Sequence, residues 1–276
     1  MTTQQQTGPW LFIGAGNMGG AIAAGALSGG AVSTAQMAAL KPSDGAEASF
    51  GHVFAAVGDA AAWLDAEPDA GVMLGFKPQM FKDIAAEWRP VFDAGPSRLV
   101  VSILAGTTAA TVASGLGEHA RVVRVMPNTP IRLGMGMSAV SAGPRAGEPD
   151  LVRAERLFGA SGKTIRINEG LMDAFTGLAG SGPAYVFYLA EGMLEAAEQL
   201  GFDREQALLI VRQTVAGSGA LLADSPETPR ALRTRVTSKG GTTAAGTGVL
   251  DDAGVRDAVV RAVHAARHRG AELAKE

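Results

Sequence analysis

The chain has 276 residues and no cysteine, and only 5% of its residues are aromatic and 18% charged. The absence of cysteine excludes thiol catalysis, disulfide bonds and zinc–thiolate sites. A formal net charge of -3 gives no indication of a nucleic-acid or membrane-surface partner. The N-terminal residues are polar, and the apolar run at residues 10–13 is too short for a signal peptide or a membrane span. We therefore expect a cytoplasmic protein.

The distribution of apolar residues changes near the middle of the chain. Before residue 168, short apolar runs alternate with helical patterns, which predicts a doubly wound, mostly parallel sheet. The predicted strands are residues 11–13, 36–40, 72–76, 99–103, 122–125 and 164–167. Beyond residue 169 we find only helical patterns, at residues 184–200, 204–223 and 255–274. We expect an α/β domain at residues 1–168 and an all-α domain at residues 169–276.

A glycine-rich loop directly follows the first predicted strand and opens a helix of small residues. Its sequence is Gly14-Ala15-Gly16-Asn17-Met18-Gly19. In this context the first glycine permits a tight turn, the second lets the backbone approach a pyrophosphate, and the third lets helix and strand pack closely. The alternative is an ordinary strand-to-helix turn. The position after the first strand favours a Rossmann-like domain whose candidate cofactor ligands include Gly14, Gly16, Asn17, Met18 and Gly19.

The end of the second predicted strand bears on which nicotinamide cofactor binds. An NAD site usually has an acid here that binds the ribose diol. This chain has Lys41, Ser43 and Asp44. Lys41 and Ser43 are candidate ligands for a 2′-phosphate, so charge matching favours NADP. NAD remains the alternative because Asp44 is close enough in sequence to bind a ribose diol. A further alternative is that Lys41 is an ordinary solvent-exposed side chain with no ligand.

Two proline-containing loops follow later strands, where a doubly wound sheet places its ligands. One contains Lys77 and Pro78, and the other has prolines on both sides of Asn128 and Thr129. Because proline fixes the backbone, we expect the Asn128 and Thr129 side chains to project from a rigid turn and to orient the nicotinamide or its ribose. The alternative is that the prolines only end a strand.

A second glycine-containing segment, residues 236–243, places hydroxyl groups beside paired glycines. Such a turn before a helix is typical of a small-anion site. It is also compatible with a simple helix cap, although a cap does not require two successive glycines. One cofactor loop and one small-anion site on the same chain favour a reductase acting on a carboxylate.

The segments GAGNMG, LGFKPQ, VVRVMPNTP, GSGPAY (residues 180–185) and VTSKGGTT occur in this order along the chain. In this combination the chain resembles the delta-1-pyrroline-5-carboxylate reductase family over essentially its whole length. The resemblance implies reduction of pyrroline-5-carboxylate to proline with NAD(P)H, the last step of proline synthesis. It also implies a Rossmann domain followed by a helical domain that forms a homodimer, which often assembles further.

The resemblance also implies roles for individual residues. The substrate ligands carried over by position are Ser238, Gly240, Gly241, Thr242 and Thr243. Lys77, Pro78, Asn128 and Thr129 carry over as cofactor-side residues. We expect the N–H groups of Gly240 to Thr242, with the Ser238 and Thr242 hydroxyls, to hold the carboxylate, and Thr243 to bond the ring nitrogen.

This sequence departs from the family pattern at two places. Lys239 stands where the family usually has proline, and it adds a positive charge beside the expected carboxylate site. The end of the second strand lacks the Asn-Arg pair of many members. No acid–base pair is obvious in the motifs, but a protonated cyclic imine already accepts hydride well, so orientation of the two reactants suffices.

Alternative functions remain open at this stage. Another imine reductase or a β-hydroxyacid dehydrogenase would also have a sheet domain followed by a helical domain. The dehydrogenase, however, would place a catalytic lysine on the helix at residues 184–200, and that helix contains no lysine. A non-catalytic dinucleotide sensor is favoured only by Lys239. His264 and His268 lie four residues apart but lack an acidic third ligand, so we expect no metal site. The apolar helices predict a homodimer.

Overall fold

The structure is a computed structural model in which we describe residues 6–41 and 45–273. Ser43 and Asp44, which we expected to bear on cofactor preference, lie outside the described residues.

The described residues form one eight-stranded sheet with the order β3-β2-β1-β4-β5-β6-β7-β8. Strands β1 to β6 are parallel, β7 is antiparallel to β6, and β8 is parallel to β7. The strand bounds are β1 Trp10–Ile13, β2 Met37–Leu40, β3 His52–Phe54, β4 Gly71–Leu74, β5 Arg98–Ser102, β6 Ala120–Met126, β7 Gly136–Ala142 and β8 Gly162–Arg166. The predicted mostly parallel sheet is confirmed.

Helices cover both faces of the sheet in the first part of the chain. The helix bounds there are α1 Asn17–Ser28, α2 Val57–Ala66, α3 Phe81–Ala94, α4 Ala109–Leu116, α5 Glu148–Gly159 and α6 Met172–Phe175. The remaining helices are α7 Gly182–Gln199, α8 Arg204–Asp224, α9 Pro229–Arg235, α10 Thr242–Asp252 and α11 Val255–Leu273. No strand occurs beyond Arg166 in the described part of the chain, so the expected helical region is also confirmed.

Two hydrophobic cores, one on each face of the sheet, explain why the central strands are continuous apolar runs. Trp10 and Phe12 of β1 pack with α1 and α5 on one face. Leu11 and Ile13 of the same strand pack with α2, α3 and α4 on the other. Because successive side chains of a strand point to opposite faces, every residue of β1 is buried.

The central position of β1 defines where ligands bind. The order of strands reverses there, because β2 lies on one side of β1 and β4 on the other. The loops after β1 and β4 therefore diverge to opposite faces at the carboxyl edge of the sheet, which is the usual ligand site of a doubly wound fold. The glycine loop follows β1 directly.

Two compact units divide the described chain. The first contains the sheet and extends to Gly180, with the residues from Ala266 onward joining it, and the second is Ser181–Ala265. The domain boundary that we expected after residue 168 stays a prediction. None of the helices in the described residues is long and apolar enough to cross a membrane.

Candidate functional site

The backbone conformation of the glycine loop requires glycine at position 14, and close packing favours glycine at position 19. Gly14 has a φ of 77°, and a Cβ atom built on it would lie 2.9 Å from the Cβ of Phe76. On Gly19 the added Cβ would lie 3.1 Å from the Gly14 oxygen. The Gly14 N–H donates to the Leu40 oxygen at 3.2 Å, which ties the loop to the end of β2.

Gly16 is the N-cap of α1, and the start of this helix is open to an anion. Among the described residues no side chain caps the helix, and its first turn contains no acidic residue. The exposed Asn17 begins the helix, whereas Met18 is partly buried and packs against the core. Free N–H groups at a helix start bind phosphate groups well, so the loop fits the pyrophosphate of a dinucleotide.

Gly75 is a further residue that the loop needs, and the sequence analysis missed it. It follows β4 and its N–H donates to the Ile13 oxygen at 3.0 Å. A Cβ atom at this position would lie 2.5 Å from the Gly14 oxygen. The only available signal was a glycine at the end of a buried strand, next in the sheet to the strand that carries the glycine loop.

The two lysines expected on the cofactor side lie at the carboxyl edge of the sheet. Lys41 is exposed directly after β2, with a φ of 49°, and its N–H donates to the Phe54 oxygen at 3.0 Å. Lys77 is also exposed and precedes Pro78, which begins a short 3-10 turn. Both ammonium groups are therefore available to an anionic ligand at this edge.

The side chain of Asn128 does not project from its turn as we expected. Asn128 is only 9% exposed. Its Nδ2 donates to the Ala179 oxygen at 3.0 Å, and its Oδ1 accepts a hydrogen bond from the Met137 N–H at 2.9 Å. The amide thus joins the start of β7 to the segment that ends at Gly180. Thr129, by contrast, is exposed. The role of Asn128 as a cofactor ligand stays a prediction.

A partly buried ion pair holds β6, the strand that leads into the turn of Asn128. Arg124 on β6 is 3% exposed, and its Nη1 lies 3.2 Å from Oε1 of Glu169. The same carboxylate oxygen accepts the N–H of Ala109, the first residue of α4, at 2.7 Å. Glu169 therefore holds two elements at the carboxyl edge. This pair was not predicted from the sequence, where the only available signal was an arginine within the apolar run at residues 122–125.

A groove of about 720 Å³ lies along α1 beside the glycine loop. Its walls come from α1, from residues 45–49 and from the 3-10 segment Thr129–Leu133. Gly16 and Asn17 form its end at the helix start, and Arg132 reaches the same point, with its Nη2 3.5 Å from the Asn17 oxygen. A cationic group thus lies beside the first residue of α1.

The second glycine segment lies at the start of α10. Gly240 has a φ of 72°, and Gly241 is the N-cap, without a side chain that caps the helix. A Cβ atom on Gly241 would overlap Oγ of Ser238, so the Ser238 hydroxyl lies beside the helix start. The Gly241 N–H already donates to the Ser238 oxygen at 3.1 Å. Of the N–H groups expected to hold the carboxylate, from Gly240 to Thr242, that of Gly241 is therefore already paired.

The hydroxyl groups of this segment are available to a ligand. Ser238 and Thr242 are exposed and Thr243 is half-buried. None of these three hydroxyls has a hydrogen-bond partner within the described residues. The first turn of α10 contains no acidic residue. N–H and O–H donors with no nearby carboxylate in their own turn are suited to a small anion.

The GSGPAY segment forms the entry to the long helix α7. Gly180 ends a π-helical segment, and Pro183 lies in the first turn of α7. Proline is well tolerated there because its missing N–H would have no partner in the helix. The helix predicted at residues 184–200 is confirmed as α7.

Comparison with known proteins gives matches along nearly the whole chain. Residues 169–273 match the family model described as pyrroline-5-carboxylate reductase dimerisation, and residues 11–106 match that described as NADP oxidoreductase, coenzyme F420-dependent. The pyrroline-5-carboxylate reductase of Pisum sativum is 34% identical over 95% of this chain and 94% of its own. That of Methanosarcina acetivorans is 36% identical over 96% of this chain and 97% of its own.

Solved structures of the same kind share the fold. The pyrroline-5-carboxylate reductase of Coxiella burnetii matches with a TM-score of 0.87 and 30% identity, covering 97% of this chain and 99% of that one. The Plasmodium falciparum pyrroline carboxylate reductase, solved with NADP bound, matches with a TM-score of 0.84 and 26% identity over 96% and 98% of the two chains. Extensive identity to full-length relatives identifies this chain as a member of the pyrroline-5-carboxylate reductase family.

Proposed function

We propose that the protein reduces 1-pyrroline-5-carboxylate to L-proline with a hydride from NAD(P)H, the last step of proline biosynthesis. The observation that carries the proposal is the uncapped start of α10, where Ser238, Thr242 and Thr243 offer free hydroxyl groups. These hydroxyl groups can donate hydrogen bonds to the carboxylate and accept one from the N–H of the protonated imine, in a chain that belongs to the corresponding family.

The glycine loop supports binding of the reduced dinucleotide. A Cβ atom on Gly14 would fill the space against Phe76, and the start of α1 is uncapped, so the residues present fit a pyrophosphate. When bound, the reduced nicotinamide supplies the hydride. We propose NADPH as the preferred donor because Lys41 lies at the end of β2, where a 2′-phosphate is bound in this fold. The relative from Plasmodium falciparum also has NADP bound.

The start of α10 would orient the substrate. The N–H groups of Gly240 and Thr242, with the Ser238 and Thr242 hydroxyls, would hold the ring carboxylate, and the helix dipole favours negative charge there. The Thr243 hydroxyl oxygen would accept a hydrogen bond from the N–H of the protonated ring nitrogen. Hydride adds to the carbon of the C=N bond, and the π electrons of that bond move to nitrogen, which already carries its proton. The product is the saturated ring of proline.

Turnover tests this proposal directly. Loss of NADPH and NADH absorbance is followed with 1-pyrroline-5-carboxylate, each cofactor separately, and proline is quantified in the same samples. We expect one proline for each NADPH oxidised and a higher kcat/KM with NADPH than with NADH. Cofactor binding without turnover of either cofactor would contradict the proposal and favour another imine substrate or a non-catalytic sensor.

We also propose that the protein works as a homodimer joined through its helical unit, and that dimers assemble further. The helices of this unit expose large apolar side chains, including Phe187, Leu189, Leu209 and Leu221. Exposed apolar surface of this extent is usually covered by a partner. Light scattering should give at least twice the chain mass of 28.1 kDa, and a concentration-independent monomer would contradict the proposal. A cytoplasmic location remains part of the proposal.

A further inference from the structure

We propose that Arg132 is a cofactor-binding residue whose guanidinium group binds the diphosphate of the dinucleotide at the start of α1. This inference rests on the proposed function, because it requires that the glycine loop binds NAD(P)H. It adds a specific cationic ligand to a loop that otherwise offers backbone N–H groups.

The position of Arg132 is the first argument. Its Nη2 lies 3.5 Å from the oxygen of Asn17, the residue that begins α1. The N–H and C=O of one residue are only about 3 to 4 Å apart. In a helix these two groups point in opposite directions along the axis, so the exposed Arg132 side chain must turn toward the helix start to bind a phosphate that accepts hydrogen bonds from the first N–H groups of α1. Arg132 and Gly16 also line the same groove.

The charge environment of Arg132 is the second argument. Within residues 6–41 and 45–273 it forms no ion pair, and the first turn of α1 has no acidic residue. Elsewhere in the same unit, Arg121, Arg124 and Arg166 are each held by a carboxylate. A cation beside the positive end of a helix dipole is unfavourable unless an anion lies between them. The diphosphate of the cofactor is such an anion.

The backbone beneath Arg132 is anchored, which limits where its side chain can reach. The adjacent Ile131 is 1% exposed and belongs to the core that includes α1 residues. Its N–H donates to the Asn128 oxygen at 3.2 Å, and the Met135 N–H donates to the Pro130 oxygen at 3.2 Å. Arg132 is therefore presented to the glycine loop by a fixed turn. Arginine suits this position because its planar group can bind two phosphate oxygens at once.

Direct binding measurements on the full chain test the inference. The dissociation constants of NADPH and NADH are measured by calorimetry for the wild-type protein, Arg132→Ala, Arg132→Lys and the control Arg145→Ala. Arg145 is also exposed and forms no ion pair among the described residues. It lies at the opposite edge of the sheet, where the adjacent Pro144 oxygen accepts the Val122 N–H. The control thus removes the same charge far from the glycine loop.

We expect Arg132→Ala to weaken both cofactors by roughly tenfold, the effect of losing one charged hydrogen bond. Arg132→Lys should lose less affinity for the two cofactors, and Arg145→Ala should have the dissociation constants of the wild type. Equal affinity of Arg132→Ala and wild type would overturn the inference. Weakening of NADPH alone would also overturn it, because it would assign Arg132 to the 2′-phosphate. Failure of the wild-type protein to bind either cofactor would instead refute the proposed function itself. Equal thermal unfolding midpoints of the variants establish that each one is folded.

Discussion

Replacement of Gly241 by alanine should remove the substrate site while leaving α10 nearly intact. Gly241 has φ of -80° and ψ of 174°, an extended conformation that any residue adopts. An added Cβ atom would overlap Oγ of Ser238 and lie 3.3 Å from the Ser238 oxygen. Because a serine hydroxyl can rotate, the clash is relieved at little cost to folding. The hydroxyl then leaves the helix start, and the new methyl group occupies part of its place.

The magnitude follows from the hydrogen bond that is lost. A hydrogen bond to a charged group contributes about 1.5 to 3 kcal/mol, so kcat/KM for 1-pyrroline-5-carboxylate should fall about 10- to 150-fold. Alanine is a poorer N-cap than glycine, but that difference should cost less than about 1 kcal/mol of unfolding free energy. The Kd of NADPH should not change, since no cofactor ligand proposed here lies in this segment.

Gly240→Ala is the matched control, because the two neighbouring glycines are required for different reasons. Gly240 has a φ of 72° but open space around the position of a Cβ atom. Alanine there should lower the free energy of unfolding by about 1 to 2 kcal/mol through backbone strain. The assays are steady-state kinetics, NADPH binding and denaturant unfolding. A Gly241→Ala enzyme with wild-type kcat/KM would refute the placement of the carboxylate at this helix start.

Three further substitutions test separate parts of the account. Thr243→Ala should lower kcat and leave the Kd of NADPH intact, and an unchanged rate in steady-state assays would remove Thr243 from the mechanism. Asn128→Ala should destabilise the protein by about 1 to 3 kcal/mol, because it leaves the partly buried Met137 N–H and Ala179 oxygen without this partner; an unchanged unfolding midpoint would argue against this structural role. Lys239→Gln should raise KM for the substrate about two- to fivefold at low salt, as expected for one exposed charge. That difference should shrink at high salt, and a salt-independent KM would show that the Lys239 charge does not act on the carboxylate.

Local sequence patterns predicted the elements whose formation depends on nearby residues. The run before Gly14 is buried on both faces of the sheet, so it is apolar throughout and was recognisable as a strand. The glycine loop was recognisable because its three glycines have fixed spacing. Strand β7 was not predicted, because Gly136–Ala142 contains glycine, serine and alanine and is specified by its pairing with β6 and β8. Such pairing between strands is not visible in a local pattern.

Side-chain partners that lie far apart in sequence explain the remaining misses. Asn128 was expected to project from its turn, but its hydrogen-bond partners are 9 and 51 residues away. Arg132 was not singled out because its relation to Asn17 depends on a contact across 115 residues. The two glycines before α10 were singled out because a helix cap does not require two successive glycines. Only the structure separates the conformational requirement at Gly240 from the spatial one at Gly241.

Deuterium transfer tests the central claim most directly. The protein is incubated with 1-pyrroline-5-carboxylate and NADPH that carries deuterium at both C4 positions of the nicotinamide, and proline is analysed by mass spectrometry and NMR. The account predicts one deuterium per proline, on the ring carbon that was doubly bonded to nitrogen. Proline without deuterium, or no proline from protein that binds NADPH, would contradict the proposed hydride transfer.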